Sequence, residues 1–223
     1  MSNKLPSYAR LRQDYRVRRN TNNMPIQEIL QQLNDDFFKM NSSATISEMI
    51  EDGVIDSTAI ERQWLGNDPA SESQIVCNES RLGVTLPNSY CEFLRTSNGF
   101  LFLSPFLDNL LPIEHVNWIS NMEEGSWLNL IEEDIVEVSD ELYLNYENQS
   151  SVKNNRVEYF RKSLKVSNWY DGMCIFLNPE IQHEGEWEVL EYATWYPGWY
   201  RYRSFQEYLV KVHESNLHLQ NAT

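Results

Sequence analysis

The first third of the chain has apolar residues at intervals of three and four, the spacing of amphipathic helices. Pro25 can open a helix that continues through about Lys39, because a proline is tolerated in a first helical turn. Its apolar stripe consists of Ile26, Ile29, Leu30, Leu33 and Phe37. A second, shorter helix is predicted over residues 45–52, where Gly53 stops it. These two helices either form a separate appendage or pack on the rest of the chain.

Two further helix starts are predicted between residues 58 and 69. Thr58-Ala59-Ile60-Glu61 matches a capping box, in which the Thr hydroxyl and the Glu carboxylate each accept a backbone N–H bond. This box predicts a helix that ends near Gly66. Asp68-Pro69 combines an N-cap residue with a proline at the first helical position, so the next helix is predicted to start there.

Residues 81–103 form the stretch around which the fold is predicted to be organised. Gly83 can take the left-handed conformation that closes a helix, and Pro87 can open the next one. Tyr90, Phe93 and Leu94 share one face of that second helix. After Asn98-Gly99, residues 100–103 are apolar on both faces, as in an interior strand. We expect Phe93, Leu94, Phe100 and Phe102 to be buried.

The middle of the chain is more ambiguous. Pro112 is predicted to begin a helix that contains Ile113, Val116 and Ile119. Residues 128–146 keep helical spacing over five steps, through Leu128, Ile131, Ile135, Val138, Leu142 and Tyr146. A strand over residues 135–138 is the alternative.

The last third is rich in the residues that favour strands. Leu164-Lys165-Val166 and residues 173–177 flank Asp171-Gly172, a strong hairpin signal. Further strands are predicted over residues 187–195 and 199–203, joined by a Pro197-Gly198 turn. A capping box from Ser204 to Glu207 opens a final helix. The predicted fold class is α+β: N-terminal helices, an antiparallel sheet in the second half and a closing C-terminal helix.

The order Leu82-Gly83, Leu86-Pro87, Tyr90, Phe93-Leu94, Asn98-Gly99 resembles the signature of the SUKH superfamily. The run SFQEYL at residues 204–209 resembles the closing helix of the same superfamily. The resemblance covers roughly residues 60–212. It implies two regions: a basic and helical extension over residues 1–55, and a SUKH-like domain over residues 56–223.

The resemblance also implies a function without catalysis. The superfamily contains bacterial immunity proteins of polymorphic toxin systems and a fungal regulator of cell-wall synthesis. It therefore implies a cytoplasmic immunity protein that binds and neutralises a cognate protein toxin. A regulatory or scaffold module that binds another protein is the alternative.

Charge narrows the range of partners. The formal net charge is −15, and residues 96–152 contain eleven acidic residues but no Lys or Arg. Like charges repel, so nucleic acid and anionic membranes are disfavoured and a basic protein partner is favoured. The alternative is that the acidity serves only solubility. No apolar run reaches the ~20 residues of a membrane span. The three cysteines include no CxxC pair, which indicates reduced thiols and a cytoplasmic location.

The sequence contains no motif that indicates catalysis, metal binding or nucleotide binding. The four histidines form no metal-binding pattern, and no nucleotide-binding glycine loop is present. We therefore predict no catalytic residue, no metal and no cofactor. A carbohydrate-acting enzyme is the remaining enzymatic alternative, with a carboxylate pair from Glu184, Glu186, Glu188 and Glu191 beside Trp187, Trp195 and Trp199. Against it, Glu186 and Glu188 alternate along a strand as solvated edge residues do.

The predicted partner-binding residues belong to two acidic segments. If the toxin is a nuclease, its substrate cleft should be basic, and an acidic face could occupy it. The aromatic residues of positions 195–202 serve either as core packing or as a recognition rim, since Trp and Tyr are common at interface hot spots. The candidates are Glu132, Glu133, Asp134, Glu137 and Glu141 in the first segment, and Glu184, Glu186 and Trp199 in the second.

Overall fold

Helices dominate the part of the chain before the first strand. The structure, a computed structural model, describes residues 24–121, 138–147, 149, 155–196 and 199–222. Five helices in these ranges precede the first strand: α1 (Ile26–Met40), α2 (Ser43–Glu51), α3 (Ser57–Glu61), α4 (Glu72–Leu82) and α5 (Asn88–Thr96). None of the described helices combines the length and apolarity that a membrane span needs.

Two of the predicted helix starts are wrong. Helix α3 is capped by the Asp56 carboxylate, which accepts the N–H of Thr58, so Thr58 lies inside the helix. Helix α4 starts after Ser71, whose capping box with Gln74 is complete. Residues 68–70 are instead held against the end of α5, where the N–H of Ala70 donates to the carbonyl of Leu94 at 2.8 Å. This tertiary bond keeps residues 68–70 out of the helix.

The central stretch folds as its sequence predicts. Gly83 ends α4 with a φ of 73°, in the left-handed region. Phe93 and Leu94 on α5 are completely buried, and Phe100 and Phe102 are 1% and 7% exposed. The expected burial of these four residues is therefore confirmed. They belong to one large core cluster that extends over both halves of the chain.

The strands form two antiparallel sheets. A hairpin consists of β1 (Phe100–Ser104) and β2 (Leu107–Leu110). The main sheet contains five strands in their chain order: β3 (Asn117–Trp118), β4 (Leu164–Lys165), β5 (Met173–His183), β6 (Glu186–Ala193) and β7 (Trp199–Tyr202). Asp171 and Gly172 form the tight turn before β5, with φ of 43° and 76°. Together with the closing helix α8 (Phe205–Ala222), this confirms the α+β class.

The segment between the two sheets differs from prediction. Residues Ile113–His115 form a single 3-10 turn rather than a helix. After this turn β3 pairs with β4, and bonds from the N–H of Leu111 to the carbonyl of Val166 and from the N–H of Ile119 to the carbonyl of Ser163 flank that pairing. Two short helices follow, α6 (Asp140–Tyr143) and α7 (Val157–Arg161). Most of the helix predicted over residues 128–146 lies outside the described residues, as does the predicted Pro197-Gly198 turn.

Both faces of the main sheet are covered. Side chains alternate along β5. Met173, Ile175 and Leu177 join the large core cluster. Cys174 and Phe176 join a second cluster on the opposite face, in which the ring of Phe160 from α7 lies 5.0 Å from that of Phe176. The β5 side chains that point away from the large core cluster are therefore buried as well, in the second cluster.

The first and last described helices pack against one another. The whole predicted stripe of α1 is buried in the large cluster, and Phe205 at the start of α8 lies 4.9 Å from the Tyr90 ring. Asp36 of α1 is buried and forms a hydrogen-bonded pair with His213 of α8 at 2.6 Å. Helix α1 thus packs on the rest of the chain, one of the two arrangements that its sequence allows. The boundary at residue 55 stays a prediction.

Candidate protein-binding surface

The predicted partner-binding residues occupy different environments. Glu132, Glu133, Asp134 and Glu137 lie outside the described residues. Glu141 is exposed on α6. Glu184 is also exposed, at the tip of the hairpin between β5 and β6, where its φ is 54°. Two of the predicted residues are therefore presented to solvent, one on α6 and one on the β5–β6 hairpin.

Glu186 contacts the start of a helix. Its Oε1 accepts the N–H of Ser89 at 3.0 Å, and its Oε2 accepts the hydroxyl of the same serine. Pro87 precedes α5 and makes no side-chain cap. The carboxylate therefore supplies an acceptor to the unpaired N–H groups of the helix N-terminus, where a negative charge is favourable. Glu186 therefore has a structural role at the start of α5, in addition to its predicted role in binding a partner.

We predict that Glu186→Ala lowers the free energy of unfolding by about 0.5–2 kcal/mol, the usual cost of losing an N-terminal cap. Urea denaturation followed by circular dichroism measures this loss. Glu184→Ala is the matched control, because Glu184 is an exposed glutamate of the same hairpin. Its effect should stay within about 0.5 kcal/mol. Equal losses for both variants would contradict the capping role.

Trp199 is part of the core. It is 4% exposed, and its ring lies edge-on to Phe160 with the ring centroids 4.4 Å apart. Tyr196 and Tyr202 are buried as well, whereas Trp195 is 40% exposed. Of this aromatic group, Trp195 therefore offers the most surface to a partner.

A buried polar network surrounds Glu188, which sequence reasoning placed among solvated residues. That prediction is wrong, because Glu188 is fully buried on an inner strand of a sheet covered on both faces. Its carboxylate accepts hydrogen bonds from the Tyr143 hydroxyl at 2.7 Å, the Tyr146 hydroxyl at 2.8 Å and the Asn178 amide at 2.8 Å. The network ties residues 143–146 to β5 and β6.

Arg201 on β7 supplies the positive charge of this network. Its Nη1 lies 3.9 Å from Oε1 of Glu188, and both side chains have no exposed surface. The same Nη1 donates to the carbonyl of Tyr143, and the guanidinium lies over the Tyr143 ring at 4.0 Å. Within the described residues, its Nε and Nη2 have no hydrogen-bond partner. Arg201 thus compensates a buried carboxylate and fixes α6 by cation–π contact.

The protonation of the network follows from its burial. Burial raises the pKa of the Glu188 carboxyl, while the hydrogen bonds from Tyr143, Asn178 and Tyr146 oppose this shift. Burial also raises the pKa of both tyrosines, so that they stay protonated and donate. His183, whose Nε2 lies 2.6 Å from the Tyr146 hydroxyl, has its pKa lowered by burial and by Arg203.

This arrangement does not form a glycosidase pair. Glu188 and Glu191 are three positions apart on β6, so they point to opposite faces of the sheet. Glu191 is 1% exposed and accepts from the hydroxyls of Tyr196 and Tyr202 at 2.8 and 2.9 Å. Both carboxylates are buried by the described part of the chain, so neither is presented to a solvent-borne substrate there. Within the described residues, no group of His, Cys, Asp and Glu is arranged to hold a metal ion.

An open, polar depression lies on the helical side of the molecule. Its volume is about 510 Å³, and Glu114 hydrogen-bonds two of its lining residues, Gln74 and Asn98. The lining residues are Arg62, Asn67, Asp68, Pro69, Gln74, Asn98 and Pro112. Arg62 bonds to Asp68 and Asn67 bonds to the carbonyl of Asn98, so these polar side chains link the ends of α3, α4 and α5, which indicates a structural role.

Comparison with known proteins identifies the family. A search of curated proteins gives no match. A family model, SMI1 / KNR4 family (SUKH-1), matches residues 69–211, well over half of the chain. The match includes the stretch from Leu82 to Gly99 that resembles the SUKH signature, so that resemblance is confirmed. The chain belongs to the SMI1/KNR4 family (SUKH-1), which includes toxin immunity proteins and a fungal regulator.

Proposed function

We propose that this protein is an immunity protein that binds a cognate toxin and neutralises it through an acidic surface. The observation that carries the proposal is the charge distribution: eleven acidic residues and no Lys or Arg over residues 96–152. Within that segment, Glu141 is exposed on α6. Family membership supports the proposal, because members of the family bind protein partners such as toxins.

The acidic surface suits a basic partner for a physical reason. Asp140 of this segment pairs with Arg156 at 2.5 Å, but the segment itself supplies no basic side chain. We infer that the potential of its other acids extends into solvent and steers a positively charged protein. A nuclease toxin has a basic cleft for the phosphate backbone. We infer that Glu132, Glu133, Asp134, Glu137 and Glu141 face such a cleft, with Glu184 and Glu186 as a second patch.

We further infer that the protein works by binding alone and without catalysis. The family is known for immunity and regulation rather than for enzymes. The second candidate function, a regulatory or scaffold module, rests on the fungal regulator in the same family. A toxin gene beside this gene, and binding of its product, would favour immunity over regulation.

Charge reversal tests the proposed binding face. Changing Glu133, Glu137 and Glu141 to Lys should slow association with the cognate toxin by tenfold or more at low salt, because the steering field is lost. Dissociation should change much less. Stopped-flow or surface plasmon resonance measurements at several ionic strengths give both rates.

A second triple variant shows whether the position of the reversed charges matters, or only the net charge of the protein. Reversing the exposed acids Glu48, Glu51 and Asp52 of the α2 region changes the net charge by the same amount. This variant should retain most of the association rate. If both variants associate equally fast, or if salt has no effect, residues 132–141 are not the binding face.

A further inference from the structure

Three turns place aromatic residues at one end of the main sheet. Met173 at the start of β5 pairs with Ala193 at the end of β6, and the N–H of Thr194 donates to Gly172 at 3.0 Å. The turn before β5 therefore lies beside the residues that follow β6. The β1–β2 turn reaches the same end, because the ring of Phe106 lies 6.3 Å from that of Trp195.

Three large aromatic residues at this end are exposed. Trp169 and Tyr170 are each 38% exposed, and Trp195 is 40% exposed. The Trp169 ring packs against Tyr192 at 5.7 Å, and Trp195 contacts Tyr196 as well as Phe106. The rings of Trp169 and Trp195 are therefore held by neighbours and are still partly exposed. We call Trp169, Tyr170 and Trp195 the aromatic end. Its two packed tryptophan rings would lose little side-chain freedom when a partner binds.

The charge around the aromatic end is negative. Asp171 is exposed at the tip of the turn between Tyr170 and Gly172. No Lys or Arg occurs anywhere in residues 166–200. A cation that approaches these rings thus meets a carboxylate and no positive side chain from the same part of the chain.

We propose that the aromatic end is a docking surface for an arginine-bearing segment of a protein partner. A guanidinium can stack flat on an indole or phenol ring and donate two parallel hydrogen bonds to Asp171. An ammonium group is a more strongly hydrated point charge and cannot do both. The inference rests on the proposed function only in taking the partner to be a protein, and it uses none of the acidic residues 132–141.

Spectra of the tryptophan indole N–H groups test the proposal directly. The chain has seven tryptophans, whose indole signals in ¹H–¹⁵N spectra can be assigned by substitution. The probes are an arginine-rich peptide, the same peptide with every Arg replaced by Lys, and a soluble β-glucan oligosaccharide. The Arg peptide should shift the signals of Trp169 and Trp195 and leave that of buried Trp199 in place. It should bind roughly 3–10-fold more tightly than the Lys peptide, as a cation–π contribution of about 1 kcal/mol predicts.

Substitutions then locate the binding. Trp195→Ala and Tyr170→Ala should each weaken the Arg peptide roughly 3–10-fold, as expected for losing one aromatic contact. Leu217→Ala is the matched control, because Leu217 is 38% exposed on α8 and lies outside the aromatic end. Its affinity for the peptide should be unchanged. Asp171→Asn removes the charge without removing volume, so it tests the carboxylate even if an alanine variant fails to fold.

Four outcomes would overturn the proposal. They are equal binding of the Arg and Lys peptides, equal losses for Leu217→Ala and Trp195→Ala, no effect of Asp171→Asn, and a preference of the same rings for the oligosaccharide. The proposed immunity function would be contradicted by a different experiment. Its test is the binding of the toxin itself, which the peptide measurements do not involve.

Discussion

Arg201→Ala is expected to lower the free energy of unfolding by roughly 3–5 kcal/mol, the range for breaking a buried ion pair by removing one partner. The substitution leaves the buried carboxylate of Glu188 without its ion-pair partner. It also removes the guanidinium that lies over the Tyr143 ring. Guanidinium chloride unfolding measures the loss. Arg203→Ala, at an exposed arginine two residues further on, should cost less than about 1 kcal/mol.

The pH dependence of this loss has a defined sign. Arg201 opposes the effect of burial on the pKa of Glu188, so removing Arg201 raises that pKa further. The folded variant then holds a proton that the unfolded chain, whose glutamates titrate near 4.5, has released. The loss is full above the folded-state pKa and shrinks as the pH falls toward 4.5. Adding Glu188→Gln should recover stability at neutral pH. A loss independent of pH would show that the charge of Glu188 does not matter.

Phe93→Ala should cost roughly 3–5 kcal/mol, the usual range for truncating a buried large aromatic. Phe93 has no exposed surface and lies 5.1 Å from Phe205 and 5.8 Å from Tyr90, ring to ring. The cavity would open between α5 and α8. Thermal and chemical unfolding both report the loss.

Two substitutions bracket this result. Phe93→Leu keeps most of the volume and should cost roughly half as much or less. Leu217→Ala removes an exposed side chain and should change stability by less than about 1 kcal/mol. A loss below about 1 kcal/mol for Phe93→Ala would mean that α5 is not at the centre of the fold.

Local signals account for the parts of the fold that the sequence predicts well. Gly83 is followed by Pro87, and Tyr90, Phe93 and Leu94 recur at helical spacing, so each feature depends only on residues within a turn or two. The Asp171-Gly172 turn is equally local, because its two positive φ angles suit that pair. Such signals need no knowledge of what packs against them.

Tertiary bonds decide the places where prediction fails. Asp68-Pro69 is a reasonable helix start, but the bond from Ala70 to Leu94 keeps that segment out of the helix. Nothing near residue 70 in the sequence reveals a partner on α5. Thr58 and Asp56 are both good caps two residues apart, and local sequence alone does not choose between them.

The buried Glu188 was missed for a different reason. Alternating acids on a strand indicate a solvated face only where one face of the sheet is open. Here the first half of β5 is apolar on both faces, which indicates that the neighbouring strand β6 is also covered on both faces. The same argument applies to Trp199 on β7, which sequence reasoning placed at a partner surface and the structure places in the second core cluster. Glu141 and Glu184 lie outside the strands of the sheet and are exposed. For these two residues, acidic character alone predicts exposure correctly.

The packing of α1 on α8 also has a consequence for timing during synthesis. The carbonyl of Met24 accepts a bond from Gln206, 182 residues later in the chain. At a translation rate of about 5–20 residues per second, α1 leaves the ribosome roughly 10–40 s before the helix that covers it. Throughout that interval the side chains of Ile29, Leu30 and Leu33 have no native cover from α8. Helix α8 thus completes the core around α1 only after nearly all of the described residues have been made.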